Sequence, residues 1–144
     1  MSVLVSERLQ NINQLFIEGL YNKALNALDD FKQKKDLTVE ERVFCNLIKS
    51  NIFFELGKST DALKFAELAC NMSKELDNKC LLIDSYISKA WALVILGDYD
   101  LVLQLISEGE ELLKELMLIP QSEIAKRDAL LKLIKSQICV YKSG

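Results

Sequence analysis

Three glycines close three apolar helical patterns, and their spacing constrains the chain more than any other feature. Phe16-Ile17-Glu18-Gly19, Phe54-Glu55-Leu56-Gly57 and Val94-Ile95-Leu96-Gly97 each end a stretch of helical periodicity before a short polar turn, and the glycines lie 38 and 40 residues apart. Glycine suits such a place because a helix commonly ends on a left-handed residue, a conformation that costs glycine little. After each one a second apolar helix opens, with Ala24, Ala62 and Val102 five places past the glycine, where a modest side chain lets two helices approach. A period of 38–40 residues falls in the range of helical repeats.

Start and stop signals divide the 144 residues into seven helices, expected at about 3–18, 21–35, 39–56, 60–76, 79–96, 99–117 and 122–142. Thr38-Val-Glu-Glu41 reads as a capping box, Asp77 or Asn78 as a cap, and Pro120 with Ser122 as the start of the last helix. With 50% hydrophobic residues but only 5 Gly and 1 Pro, the chain can bury a core yet cannot supply the frequent turns of a sandwich or barrel. The fold class is all-α, with the antiparallel helices arranged as three pairs plus a final helix.

The chemistry that composition leaves open is narrow. There is no histidine, the commonest general base and metal ligand, and no Gly-rich phosphate loop or nucleophile elbow. The expectation is a non-enzyme without cofactor or metal. Glu108, Glu110, Glu111 and Glu115 read as a solvated helix face beside Lys114. Cys45, Cys70, Cys80 and Cys139 show no CxxC spacing and read as small buried hydrophobes with reduced thiols. A net charge of −3 gives no global reason to bind nucleic acid or an anionic membrane. The run Lys32, Lys34, Lys35 is the local exception, read as cations suiting the end of a helix. No signal-peptide pattern and no apolar run of membrane-spanning length occurs, so a cytoplasmic location is expected.

Leu96-Gly97-Asp98-Tyr99 followed by Val102, with looser matches at Gly57/Ala62 and Gly19-Leu20-Tyr21/Ala24, resembles the tetratricopeptide repeat (TPR) family. The resemblance covers nearly the whole chain, with repeats at about 3–36, 38–76 and 78–117 and a partial one at 120–144 in a single domain. The repeats are longer than the family's usual 34 residues, and the first two lack a closing proline. Leu47-Ile48-Lys49-Ser50 recurs as Leu133-Ile134-Lys135-Ser136, so the last helix aligns with an interior first helix. That alignment leads to the expectation of a longer natural chain, of which this is the N-terminal part, or of a final helix covered by self-association through Leu131, Ile134 and Ile138.

The resemblance implies a solenoid whose first helices line a concave groove. Counting back from the turn glycines, the family's groove positions fall on Asn13, Asn51, Trp91 and Gln137, flanked by Ile17, Glu55, Ile95 and Tyr141, with Leu9, Leu47, Ile87 and Leu133 expected in the core between first helices. An amide offers both donor and acceptor to an extended backbone, and Trp or Tyr supplies rigid contact area. The positions of the family's clamp for chaperone C-terminal carboxylates hold Leu9, Asn13, Ile48, Asp84 and Ser88, of which only Asn13 fits. The expected function is a non-catalytic protein–protein interaction scaffold holding a peptide or helix in the groove. The alternatives are an assembly module of a larger regulatory or signalling protein, acting through the final helix, with a homodimer as its simplest form, and a regulatory domain attached to an enzyme or transcription regulator.

Overall fold

The computed structural model describes residues 6–34, 36–116 and 120–143, with side chains described as far as Cys139. Seven helices account for the described regular structure: α1 (Glu7–Ile17), α2 (Tyr21–Lys32), α3 (Val39–Glu55), α4 (Ser59–Ser73), α5 (Lys79–Leu96), α6 (Tyr99–Lys114) and α7 (Gln121–Ser143). None of the described helices is long and apolar enough to cross a membrane.

The caps explain where the helices begin. The Ser6 side chain accepts the Leu9 N–H at 3.2 Å, so α1 opens at Glu7, four residues later than expected. Thr38 and Glu41 form the reciprocal capping box, each side chain accepting the other's backbone N–H at 3.0 Å. Asn78, not Asp77, caps α5 by accepting the Leu81 N–H at 3.2 Å. At the other end, α4 stops at Ser73, whose hydroxyl turns back to the Ala69 carbonyl at 2.7 Å.

The three expected glycine turns share one geometry. Gly19, Gly57 and Gly97 have φ of 81°, 78° and 86°. At each, the glycine N–H bonds three residues back and the next N–H five residues back, for example Gly19 to Phe16 and Leu20 to Leu15 at 2.9 Å. This double bond pattern satisfies carbonyls that the helix end would leave open. Ala24, Ala62 and Val102 are then fully buried beneath the turns. At the second pair the Ser50 hydroxyl donates to the Ala62 carbonyl at 2.7 Å, tying the two helices of the pair together.

Each helix packs on its neighbours in the chain, and the odd-numbered helices also touch in order, α1 on α3, α3 on α5 and α5 on α7. The buried apolar side chains form separate clusters along the molecule. One joins α1, α2 and α3 through Leu9, Ile12, Leu28, Phe31, Ile48 and Ile52. The largest joins α5, α6 and α7, where Ile83, Leu93, Ile106, Leu131, Ile134 and Ile138 meet. Between α4 and α5 the buried pair Ser73 and Ser85 lies at 3.4 Å, each hydroxyl also bonded to a carbonyl of its own helix.

The last helix corrects two expectations. Leu131, Ile134 and Ile138 are 1%, 0% and 1% exposed, so the residues read as a self-association face are consumed in the chain's own core. Gly109 lies under that packing, where a Cβ would stand 3.3 Å from the Leu131 methyls and would push them back by a few tenths of an ångström. Leu133, expected in the core beside Leu9, Leu47 and Ile87, is 47% exposed while those three are buried. Cys45 and Cys70 are buried as expected, and burial pushes both thiols up to about 11, but Cys80 is only half-buried and Cys139 is exposed, against the expectation for both.

Nothing lies within 4 Å of the place a Cβ would take at Gly97, so the cost of a side chain there is conformational alone. Gly97→Ala is expected to lower stability by about 1–2 kcal/mol, read from the urea midpoint, and Gly97→Asn, which tolerates the left-handed region better, by less. Equal losses for the two variants would contradict this origin.

Candidate functional site

The contact of odd helix on odd helix leaves a cleft of about 660 Å³ walled by α1, α3, α5 and α7. Its lining follows helical periodicity. Phe44, Leu47, Ile48 and Asn51 on α3 recur 40 residues later as Asp84, Ile87, Ser88 and Trp91 on α5, and 39 later again as Glu123, Lys126, Arg127 and Leu130 on α7. α1 contributes Asn13 and Phe16, which correspond to Asn51 and Phe54.

Of the residues singled out in the sequence, Asn13, Asn51, Glu55 and Trp91 lie together on this cleft. Ile17 and Ile95 do not line it; they stand 64% and 57% exposed at the ends of α1 and α5. Gln137 does not line it either, and Leu130 takes the corresponding place. The two positions are seven residues apart, nearly two helical turns or about 10 Å along one stripe of α7. The resemblance of Leu133-Ile134-Lys135-Ser136 to the interior helices therefore set the register two turns too far along. The Tyr141 side chain lies outside the described residues.

The polar groups of the cleft are partly engaged. The Ser88 hydroxyl donates to Asn51 Oδ1 at 3.0 Å, tying α5 to α3 and leaving the Asn51 amide N–H groups for another partner. The Asn13 side chain makes no hydrogen bond to the described residues. Trp91 is half-buried and tilted against Phe54 with ring centroids 6.1 Å apart, so one wall of the cleft is a rigid aromatic pair.

Arg127 organises the charges. Its Nε and Nη2 donate to the two Asp84 carboxylate oxygens at 2.8 and 3.0 Å, and its Nη1 donates at 3.1 Å both to the Glu123 carboxylate and to the Glu123 carbonyl. Four of the five guanidinium N–H groups are thus committed. Burial holds the Asp84 carboxyl above its ordinary pKa even beside Arg127, while the exposed Glu123 carboxyl is drawn down by its bond to the same guanidinium. With Glu55 also present, the cleft offers an incoming carboxylate little beyond Lys126. Phe16, Phe44, Phe54 and Leu130 are the apolar lining that the glycine count missed. The first and third were reachable, since Phe16 and Phe54 lie three places past Asn13 and Asn51 on the same face.

No metal-ligating cluster of three or more acidic or thiol side chains occurs among the described residues. No protein-family model, curated protein or solved structure matches the chain.

Arg127→Met would leave Asp84 without its partner, and the sign of the pH dependence follows. A carboxyl whose folded pKa is raised binds its proton more tightly in the folded than in the unfolded state, so its stabilisation is full at acid pH and is lost as pH rises through the folded value. Removing Arg127 raises Asp84 further and releases Glu123 from its lowered state, and both changes cost stability at neutral pH. The variant should lose about 2 kcal/mol at about pH 7.5, less than a fully buried pair because Asp84 keeps 35% side-chain exposure, and markedly less at about pH 4. A loss independent of pH in urea unfolding would contradict the pairing.

Proposed function

We propose that the chain is a TPR-like helical-repeat solenoid that acts as a non-catalytic protein–protein interaction scaffold, with a peptide or helix held across the cleft of the odd-numbered helices. The observation that carries this reading is the alignment of Asn13, Asn51 and Trp91, one from each of three successive first helices, on one open cleft. The amides suit a backbone, because each can donate and accept without reading side chains. Phe16, Phe44, Leu47, Ile87 and Leu130 around them suit apolar side chains. The commitment of Arg127 to Asp84 and Glu123 argues for a ligand that is apolar or mixed in charge and against an acidic C-terminal tail.

A second reading, self-association, is favoured by a different surface from the one the final helix suggested. Ile17, Leu20, Leu56, Ile95 and Leu96 are all exposed by 39% or more and gather at the three glycine turns. Sedimentation of the purified chain, with and without bound peptide, separates a scaffold that stays monomeric from a module that pairs through this edge.

The groove reading is tested by selecting from a displayed library of random dodecapeptides and titrating labelled winners by fluorescence anisotropy. Trp91→Ala should abolish binding, and Asn51→Ala should weaken it by about five- to tenfold, the worth of one or two hydrogen bonds. Ser88→Ala, which removes the partner of Asn51 without touching its amide, should leave affinity within about twofold. Peptides that bind Trp91→Ala and Asn51→Ala as they bind the parent would overturn the assignment.

A further inference from the structure

A second, smaller cleft of about 260 Å³ lies where the end of α2 meets α3 and α4, with Lys32, Lys34 and Arg42 on its walls and Cys45, Asn46 and Met72 beneath them. Its cations do not stand alone. Lys32 also lies 6.0 Å from the centroid of the Phe65 ring, where Lys49 and Lys64 join it at 4.9 and 5.6 Å. Phe65 stacks on Phe53 at 5.5 Å, and Lys58 lies 5.9 Å from the Phe53 ring. The cleft and the aromatic pair therefore share Lys32, and the cations continue from the end of α2 across α3 onto α4.

The counter-charges are too few. Glu41 lies 3.8 Å from Lys34, but it is buried and already accepts the Thr38 N–H in the capping box. Asp29 lies 3.8 Å from Lys49. No carboxylate of the described residues reaches ion-pair distance of Lys32, Arg42, Lys58 or Lys64, in a chain whose net charge is −3. The crowding registers on Lys32, whose pKa is lowered by burial first and then by the positive charge of Lys49. Within the cleft, the buried Asn46 amide donates only to the Met72 thioether at 3.5 Å, a weak acceptor that an oxygen anion would better.

We propose that this strip is a docking site for an acidic peptide segment, separate from the cleft of the odd-numbered helices. The cations run well beyond the small cleft, so the complementary partner is an extended polyanion and not a single anion. The two phenyl rings are stacked on each other and overlaid by lysines, so they present no open platform for bases, which favours an acidic peptide over single-stranded nucleic acid. A cation over an exposed ring face gains less than a charge-assisted hydrogen bond to a carboxylate supplies, so these lysines can still serve an acidic partner.

The test uses a labelled deca-glutamate peptide and a labelled decathymidylate in anisotropy titrations of the full chain at about 50 and 300 mM salt. The peptide should bind at low salt and weaken at high salt. Lys32→Gln with Arg42→Gln and Lys49→Gln should reduce its affinity by at least about tenfold, as expected for three cations lost together. Because Lys49 is largely covered, the exposed pair Lys58→Gln and Lys64→Gln serves as a second variant, with a smaller loss expected and helicity checked by circular dichroism for both. Trp91→Ala should leave deca-glutamate binding unchanged. Absence of binding at low salt, equal affinity in both charge variants and the parent, or tighter binding of decathymidylate would each overturn the proposal.

Discussion

The left-handed glycine turn is the constraint on which the rest of the structure depends. With φ near +80° at Gly19, Gly57 and Gly97, α1, α3 and α5 end on satisfied carbonyls and the chain reverses within a few residues. The helix that follows must then lie against the one just ended, and Ala24, Ala62 and Val102 let it come close. Together with the returns between α2 and α3 and between α4 and α5, these reversals bring α1, α3 and α5 into lateral contact, and α7 packs on α5 in turn. The 660 Å³ cleft is a consequence of that contact, since side chains of one helical stripe on each odd helix come to face a shared space.

The α6/α7 junction has no glycine turn, and two side-chain fits settle its register instead. Leu131 fills the space over Gly109, and Arg127 reaches Asp84 with both arms of its guanidinium. One is a steric fit and the other a charge-assisted bidentate bond, and a slide of one helical turn would lose both. The same bond shapes the chemistry of the cleft, because an arginine committed to two carboxylates has little left for a ligand's.

The parts of the fold legible in the sequence are those governed by local rules. Thr38 with Glu41 and the three turn glycines announce themselves by spacing, because capping and left-handed φ act over a few residues. Asn13, Asn51 and Trp91 could be placed on one face because they lie at fixed distances from those turns. What resisted reading was set by contacts across long separations. Nothing near Leu133 or Gln137 in sequence reveals that Asp84 captures Arg127, 43 residues away, and that this capture puts Leu130 in the cleft. The Lys32, Lys34, Lys35 run was visible, but the gathering of Lys32 with Lys49, Lys58 and Lys64 about Phe53 and Phe65 required the packing of α2, α3 and α4.

We propose that one stripe on each odd helix contributes to a single ligand surface. Amide and indole NMR signals, followed while a library-selected peptide is titrated in, test it most directly. The side-chain amides of Asn13 and Asn51 and the Trp91 indole N–H should shift together with one dissociation constant, while backbone signals of α2, α4 and α6 stay in place. Shifts concentrated on the even-numbered helices, or an Asn13 signal that titrates independently of Trp91, would contradict it.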